Sequence, residues 1–324
     1  MAETKEFGWC FIGCGTLAKI VAEQLVKSGR HRIVSAYTRR EEQCKEFTDR
    51  FGGTAALSAK EAIQAPGVDG VYVVTPHRSH YEYTKRALEC GKPVLCEKAF
   101  TVNLKDAEEL ISLAREKKLY LAEAMWTWYS PIARQVKYWL DSGELGTVTK
   151  CVADCRTDSQ NYAPRVSDPN AAGGALLDMG VYAITYIYKL FGKPEKISCK
   201  GVLDKGIDWT EDVTMSYPEG DFLAISSIWD PGVPQTLTLE GTKGRIFLTG
   251  VHYAGEVSLQ KNDGSVLTLT ADGSYLNEFD RVADEIREGL TESRYVTHEN
   301  TLDVMAMMDE CRRQMGLKYD FERR

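Results

Sequence analysis

Gly8-Trp9-Cys10-Phe11-Ile12-Gly13-Cys14-Gly15-Thr16-Leu17-Ala18 is the stretch on which the reading of the fold turns. Residues 8–12 are strand-like and mostly apolar, residues 13–18 have the form GxGxxA, and a helical pattern follows over 17–28. Strand, tight turn and helix in direct succession are what a βα unit needs. The two glycines permit the turn and let backbone approach a pyrophosphate. The new helix offers free N–H groups and the positive end of its dipole to the phosphates. A glycine turn alone is a weak signal, but in the first βα turn of a chain it points to a dinucleotide.

Working outward, apolar strand-like runs at 33–37, 70–74, 94–96 and 120–122 alternate with helical patterns at 41–51, 79–90 and 104–117. Strands apolar along their whole length, separated by helices, predict a parallel doubly wound sheet. The pattern then changes. Helices are predicted at 131–142 and 174–191, and a strand-like run at 148–159 is followed by a loop at 161–170. Turn signals such as Pro218-Glu219-Gly220-Asp221, Pro231-Gly232 and Asn262-Asp263-Gly264 divide the residues from 197 to 269 into hairpin-like strands. Two amphipathic helices close the chain at 277–289 and 301–315. The expectation is α/β overall: a dinucleotide-binding domain over 1–124, then an α+β domain with a mostly antiparallel sheet over 125–324.

The second strand is expected to end at Tyr37-Thr38-Arg39-Arg40. An NAD site usually places Asp or Glu there to bind the ribose 2′-hydroxyl. A hydroxyl and two guanidinium groups instead suit a 2′-phosphate, so NADP is favoured over NAD. Thr38-x-x-Glu41 also reads as a capping box for the next helix, and the two readings are compatible.

Of 324 residues, 43% are hydrophobic and 27% charged, and the formal net charge is -7. That length suits two domains, and that charge speaks against a large nucleic-acid footprint, which needs clustered positive surface. No apolar run approaches the roughly 20 residues that span a bilayer, and no secretory signal is visible, so no membrane association and a cytoplasmic location are expected. The nine cysteines form no CxxC pair and the five histidines show no metal-ligand spacing, so reduced buried thiols and no metal site are expected.

Two further stretches carry candidate chemistry. Val94-Leu95-Cys96-Glu97-Lys98 places Glu97 and Lys98 just past a buried strand, where open α/β sheets bind ligands. A lysine there can hold a substrate oxygen and stabilise charge as it develops, although a solvated surface lysine is the commoner fate. In Gly173-Gly174-Ala175-Leu176-Leu177-Asp178-Met179-Gly180-Val181-Tyr182, Asp178 and Tyr182 share one helix face with Tyr186. They read either as proton donor and orienting carboxylate or as a buried Asp–Tyr bond that anchors the helix. The aromatics Trp126, Trp128, Tyr129 and Tyr162 either line a sugar pocket or pack a core.

The glycine turn, Thr75-Pro76-His77-Arg78-Ser79-His80, Gly91-Lys92-Pro93-Val94-Leu95-Cys96-Glu97-Lys98 and the Gly173–Tyr182 stretch, in this order and spacing, resemble the Gfo/Idh/MocA oxidoreductases. Ala122-Glu123-Ala124-Met125-Trp126 is similar to the dihydrodiol dehydrogenase-like branch. The resemblance implies an N-terminal Rossmann domain and a C-terminal domain whose open, mostly antiparallel sheet commonly forms a homodimer. It implies NAD(P) held by Gly13, Gly15, Thr16, Leu17, Thr38, Arg39, Arg40, Thr75, Pro76, His80, Glu97 and Lys98. Lys98, Asp178 and Tyr182 match catalytic positions for interconverting a hydroxyl and a carbonyl on a sugar, polyol or cyclic diol. The sequence departs from the family where Ala99 follows Lys98 in place of proline, where Tyr182 replaces a frequent histidine, and where Trp128 replaces the arginine often found in that branch. Two other readings stay open: a non-catalytic NADP sensor, and a glycoside-cleaving enzyme with transient redox on a bound cofactor.

Overall fold

The computed structural model describes residues 6–161, 163–230, 235–253 and 255–323. The chain forms two compact units. The first holds the residues through Thr101, Lys105–Trp126 and Ser274–Thr301; the second holds Val102–Leu104, Thr127–Gly273 and the residues from Leu302 on.

In the first unit, six strands form a parallel sheet: β1 (Phe7–Ile12), β2 (His31–Tyr37), β3 (Thr54–Ala55), β4 (Gly70–Val73), β5 (Val94–Glu97) and β6 (Leu121–Ala124), in the spatial order β3-β2-β1-β4-β5-β6. Strand order reverses at β1 and β4, which is where doubly wound sheets open a ligand crevice. Helices α1 (Thr16–Ser28), α2 (Glu41–Phe51), α3 (Ala59–Gln64), α4 (His80–Glu89) and α5 (Leu104–Lys117) connect the strands. Every residue of β1, β4, β5 and β6 is buried, which explains their mostly apolar character. Sequence periodicity finds α2 and α5 at their observed limits but passes over β3 and α3. A two-residue strand has no period to read. Helix α3 is announced only by its cap: Ser58 Oγ accepts from Glu61 N at 3.2 Å, and the Glu61 carboxylate accepts from Leu57 N.

The expected division at 124/125 differs from these units most in that α8 (Leu276–Arg287), with the rest of Ser274–Thr301, belongs to the first. Its apolar stripe, Phe279, Val282 and Ala283, is fully buried. The Phe279 ring meets Trp9 and Tyr72, each at 5.0 Å between centroids, and Glu285 accepts from the Tyr120 hydroxyl at 2.7 Å. An amphipathic helix goes where its apolar face is covered, whatever its place in the chain.

The second unit is built on eight strands: β7 (Val148–Arg156), β8 (Lys196–Asp204), β9 (Ile207–Tyr217), β10 (Gly220–Ser227), β11 (Thr236–Gly241), β12 (Gly244–Thr249), β13 (Glu256–Lys261) and β14 (Val266–Thr270). Their order is β14-β13-β12-β11-β7-β10-β9-β8, with the β7–β10 pair parallel and the rest antiparallel. Register puts Val213, Ala224, Ala153, Leu237, Leu248 and Val257 in one fully buried row. Leu223, Val152, Thr238 and Phe247 form a half-buried row on the other face. Helix α6 (Pro131–Asp141) starts on Ser130, whose hydroxyl accepts from Ile132 N, with Pro131 in the first turn. The expected helix over 174–191 is a π-helical turn, Leu176–Gly180, running into α7 (Val181–Phe191), and the last helix, α9 (His298–Met315), starts earlier than its period suggests. Helix α7 is buried almost all round, as its apolar composition requires. The turn signal Pro231-Gly232 and the candidate Tyr162 lie outside the described residues. No helix among them is long and apolar enough to cross a membrane.

Candidate active site

The first unit brings its candidate residues to the carboxyl ends of β1, β2, β4 and β5. Gly13 has φ 109°, and a Cβ there would stand 2.5 Å from the Val74 carbonyl oxygen, so only glycine lets the turn lie against the end of β4. At Gly15 a Cβ would meet nothing within 4 Å, so the space outside the turn is open. Gly15 is the N-cap of α1 and supplies no side-chain cap, which leaves the first amides of Thr16 and Leu17 uncovered by the cap residue. An open space in front of uncapped amides fits a pyrophosphate.

After β2, Thr38 is half-buried and Arg39 and Arg40 are exposed. The expected capping box at Thr38 is not formed. The N-cap of α2 is Arg40, without a side-chain cap bond, so Thr38 sits two residues too early to cap. The Thr38 hydroxyl and both guanidinium groups are therefore left for another role, and they fit a 2′-phosphate.

After β4, the buried Thr75 hydroxyl has no hydrogen-bond partner among the described residues. His80, fully buried, has one ring nitrogen 2.8 Å from the Thr75 carbonyl and the other 2.8 Å from that of Ala99. It thus ties the turn that carries Thr75 and Pro76 to the one that follows Lys98. The Lys98–Ala99 peptide bond is cis.

Glu97 and Lys98 are both buried, against the surface-lysine alternative. The Glu97 carboxylate accepts from the Tyr72 hydroxyl at 2.6 Å and from Lys98 N at 3.3 Å. Two more acids stand behind it. Glu123 accepts from Phe100 N at 3.1 Å and from the Thr301 hydroxyl at 2.9 Å, and burial pushes its carboxyl up to about 7. Glu278, on α8, has neither carboxylate oxygen bonded among the described residues, and burial followed by the Glu97 charge raises it well above the carboxylate range. Lys98 thus stands at the end of β5 next to Glu97, with Glu123 close by. An acid inside the apolar run Leu121-Ala122-Glu123-Ala124 is a signal visible in sequence. Glu278 sends none, because only the fold brings α8 here.

In the second unit, Asp178 lies on the π-helical turn and Tyr182 in the first turn of α7, both 5% exposed. Arg165, from the 161–170 loop, donates to Asp178 Oδ1 at 3.1 Å; no local spacing in the sequence pointed to it. The Tyr182 ring lies 6.0 Å from that of His252. Tyr186 is different. It is fully buried, its hydroxyl is unbonded among the described residues, and burial raises its phenol. It packs against Trp128, over which Lys189 places its ammonium at 5.2 Å, and burial lowers that ammonium to about 8. Trp128 and Tyr129 are core residues of this unit, and Trp126 stacks on Tyr275 in the first.

A glycine turn at a strand-order reversal, with a buried lysine at a neighbouring strand end, defines the dinucleotide-dependent oxidoreductase class. Family models sharpen the class. Residues 7–124 match the oxidoreductase family with NAD-binding Rossmann fold, and residues 133–247 match the GFO/IDH/MocA C-terminal domain. The chain belongs to the GFO/IDH/MocA oxidoreductase family. It is 31% identical to D-xylose 1-dehydrogenase (NADP(+)) of Hypocrea jecorina, over 90% of this chain and 85% of that protein. It is 28% identical to trans-1,2-dihydrobenzene-1,2-diol dehydrogenase of Mus musculus, over 98% of this chain and 99% of that one. Among solved structures, a 3-ketoreductase from Actinomadura kijaniata in complex with NADP and TDP-benzene superposes with a TM-score of 0.86 at 25% identity, over 96% of this chain and 98% of that one.

Proposed function

We propose that this chain is an NADP-dependent oxidoreductase that interconverts a hydroxyl and a carbonyl on a sugar, polyol or cyclic diol. The observation that carries the reading is the first βα turn, where uncapped amides face open space at Gly15 while Thr38, Arg39 and Arg40 follow β2 with no acid among them. The NADP(+)-dependent xylose dehydrogenase and the NADP-bound ketoreductase support it. When bound, the dinucleotide supplies or accepts the hydride. Gly13, Gly15, Thr16 and Leu17 hold its pyrophosphate, Thr38, Arg39 and Arg40 its 2′-phosphate, and Thr75, Pro76 and Glu97 border it. His80 serves the same binding by fixing the two turns.

Lys98 holds the substrate oxygen and offsets charge that builds on it. Asp178, oriented by Arg165, accepts a substrate hydroxyl hydrogen. Tyr182 moves the proton: its phenol O–H donates to the oxygen when a carbonyl is reduced and takes the proton back in oxidation. The half-buried apolar row at Leu223, Val152 and Phe247 supports a homodimer through the open sheet face. The test is oxidation of D-xylose, scyllo-inositol and trans-dihydrodiol with NADP against NAD. NADP is expected to be preferred, and Tyr182→Phe to lower turnover by roughly 10²- to 10⁴-fold, the usual range for general acid–base catalysis. Full turnover by Tyr182→Phe removes the proton-transfer role.

A further inference from the structure

Beneath the turn that carries Asp178 lie two buried acids with no part in the chemistry above. Strands β8 and β9 slip register between Val202 and Leu203. Val202 faces Thr210 and Leu203 faces Asp208, so Trp209 is the extra residue of a bulge. Simple alternation puts Asp208 and Glu211 on opposite faces. The bulge shifts the phase by one residue and turns both inward. They are 0% and 1% exposed, while Trp209 and Thr210 are half-buried and Asp212 is exposed.

Each acid has one oxygen engaged. Asp208 Oδ2 accepts from Leu176 N at 2.6 Å, and Glu211 Oε1 accepts from the Ser226 hydroxyl. Asp208 Oδ1 and Glu211 Oε2 have no donor among the described residues, and the two carboxyls act on each other electrostatically. Carboxylate oxygens bond to each other only through a proton, and one proton between these two satisfies both. Burial raises both groups, Glu211 well above its usual value, and the Asp208 charge raises Glu211 further. The other titratable or charged groups shown to act on the pair are Cys199 on β8, Cys311 and Arg312 on α9, and Tyr319 near the chain's end. The Arg312 guanidinium directs its Nη groups to Val102 O and Glu322.

The glycines of the motif meet the pair. A Cβ at Gly174, where φ is 127°, would lie 2.0 Å from Asp208 Oδ1, and one at Gly180 would lie 2.6 Å from Glu211 Oε1. Both ends of the segment bearing Asp178 therefore rest on these carboxyls, with no room for a side chain between.

We propose that Asp208 and Glu211, bridged by one proton, are positioning residues that hold the Gly174–Gly180 turn and through it Asp178 and Tyr182. The proposal rests on the assignment of Asp178 and Tyr182 to the reaction. Hydrogen–deuterium exchange of the 173–182 segment in the intact protein, corrected for intrinsic rate between about pH 6 and about pH 9, tests it without turnover. Wild-type exchange is expected to rise about tenfold as the bridging proton is lost. Asp208→Asn keeps an acceptor for Leu176 N and a permanent N–H donor for Glu211, so its exchange stays low at every pH. Asp208→Ala raises exchange throughout and lowers kcat on D-xylose about tenfold with NADP affinity unchanged, and Asp208→Asn restores kcat. If Asp208→Ala does not fold, Ser226→Ala, which frees one Glu211 oxygen, takes its place. Exchange indifferent to pH in the wild type, or unchanged in the alanine variant, overturns the proposal. If the exchange pattern appears while Asp178→Asn and Tyr182→Phe turn over normally, the catalytic assignment fails and the support of the turn stands.

Discussion

Alanine at Gly13 and alanine at Gly15 test two different demands within three residues of chain. At Gly13 the backbone has φ 109°, and the new methyl would sit 2.5 Å from Val74 O and 2.8 Å from Val74 C. Positive φ costs an L-residue about 1–2 kcal/mol, and forcing a methyl into packed backbone adds about 1–3 kcal/mol. Gly13→Ala is therefore expected to lose about 2–5 kcal/mol of stability, seen as a melting temperature lower by roughly 4 to 20 °C for a unit of this size. At Gly15 φ is -75° and the methyl meets nothing within 4 Å, so the backbone is unstrained. Alanine is a poorer N-cap than glycine by less than about 1 kcal/mol, and the melt should barely move. The methyl does occupy the space assigned to the pyrophosphate. An overpacking cost of about 1–3 kcal/mol, now charged to binding, weakens NADPH roughly 5- to 150-fold. Thermal melts and a fluorescence titration with NADPH measure both quantities. A Gly15→Ala protein that binds NADPH like the wild type refutes the placement of the coenzyme at this turn, and a Gly13→Ala protein of undiminished stability refutes the packing argument.

Three other outcomes are expected. Arg39→Ala should weaken NADP about 5- to 30-fold, the effect of an exposed charge-assisted bond, and leave NAD unchanged; equal losses for both coenzymes contradict the 2′-phosphate assignment. Glu123 has a folded-state pKa raised to about 7, so the folded state holds a proton that the unfolded chain gives up near 4.5. Its contribution is complete below that value and is lost as pH rises toward 7, a fall of about 3 kcal/mol, so Glu123→Gln should flatten this limb in urea unfolding at about pH 5 and about pH 8. Phe279→Ala should cost about 3–5 kcal/mol, because its ring fills the gap between Trp9 and Tyr72; a stable variant argues against α8 as part of the first unit's core.

Sequence by itself determined the parts whose signal is local. The run from Gly8 to Ala18 specifies strand, turn and helix through neighbours no more than four residues apart, and periodicity places α2 and α5 at their observed limits. The candidates Lys98, Asp178 and Tyr182 were legible because their motifs are contiguous. Tertiary structure decided what depends on distant partners. Only the fold carries Glu278 and Phe279 back to β4 and β5, and only the N-cap at Arg40, one residue before α2, releases Thr38 from capping. Simple alternation puts Asp208 and Glu211 on opposite faces, and only a bulge against β8 turns both under the π-helical turn that bears Asp178. Local periodicity is set by backbone geometry within one element. Burial and ion pairing are set by whichever surfaces meet, and those belong to residues far apart in the chain.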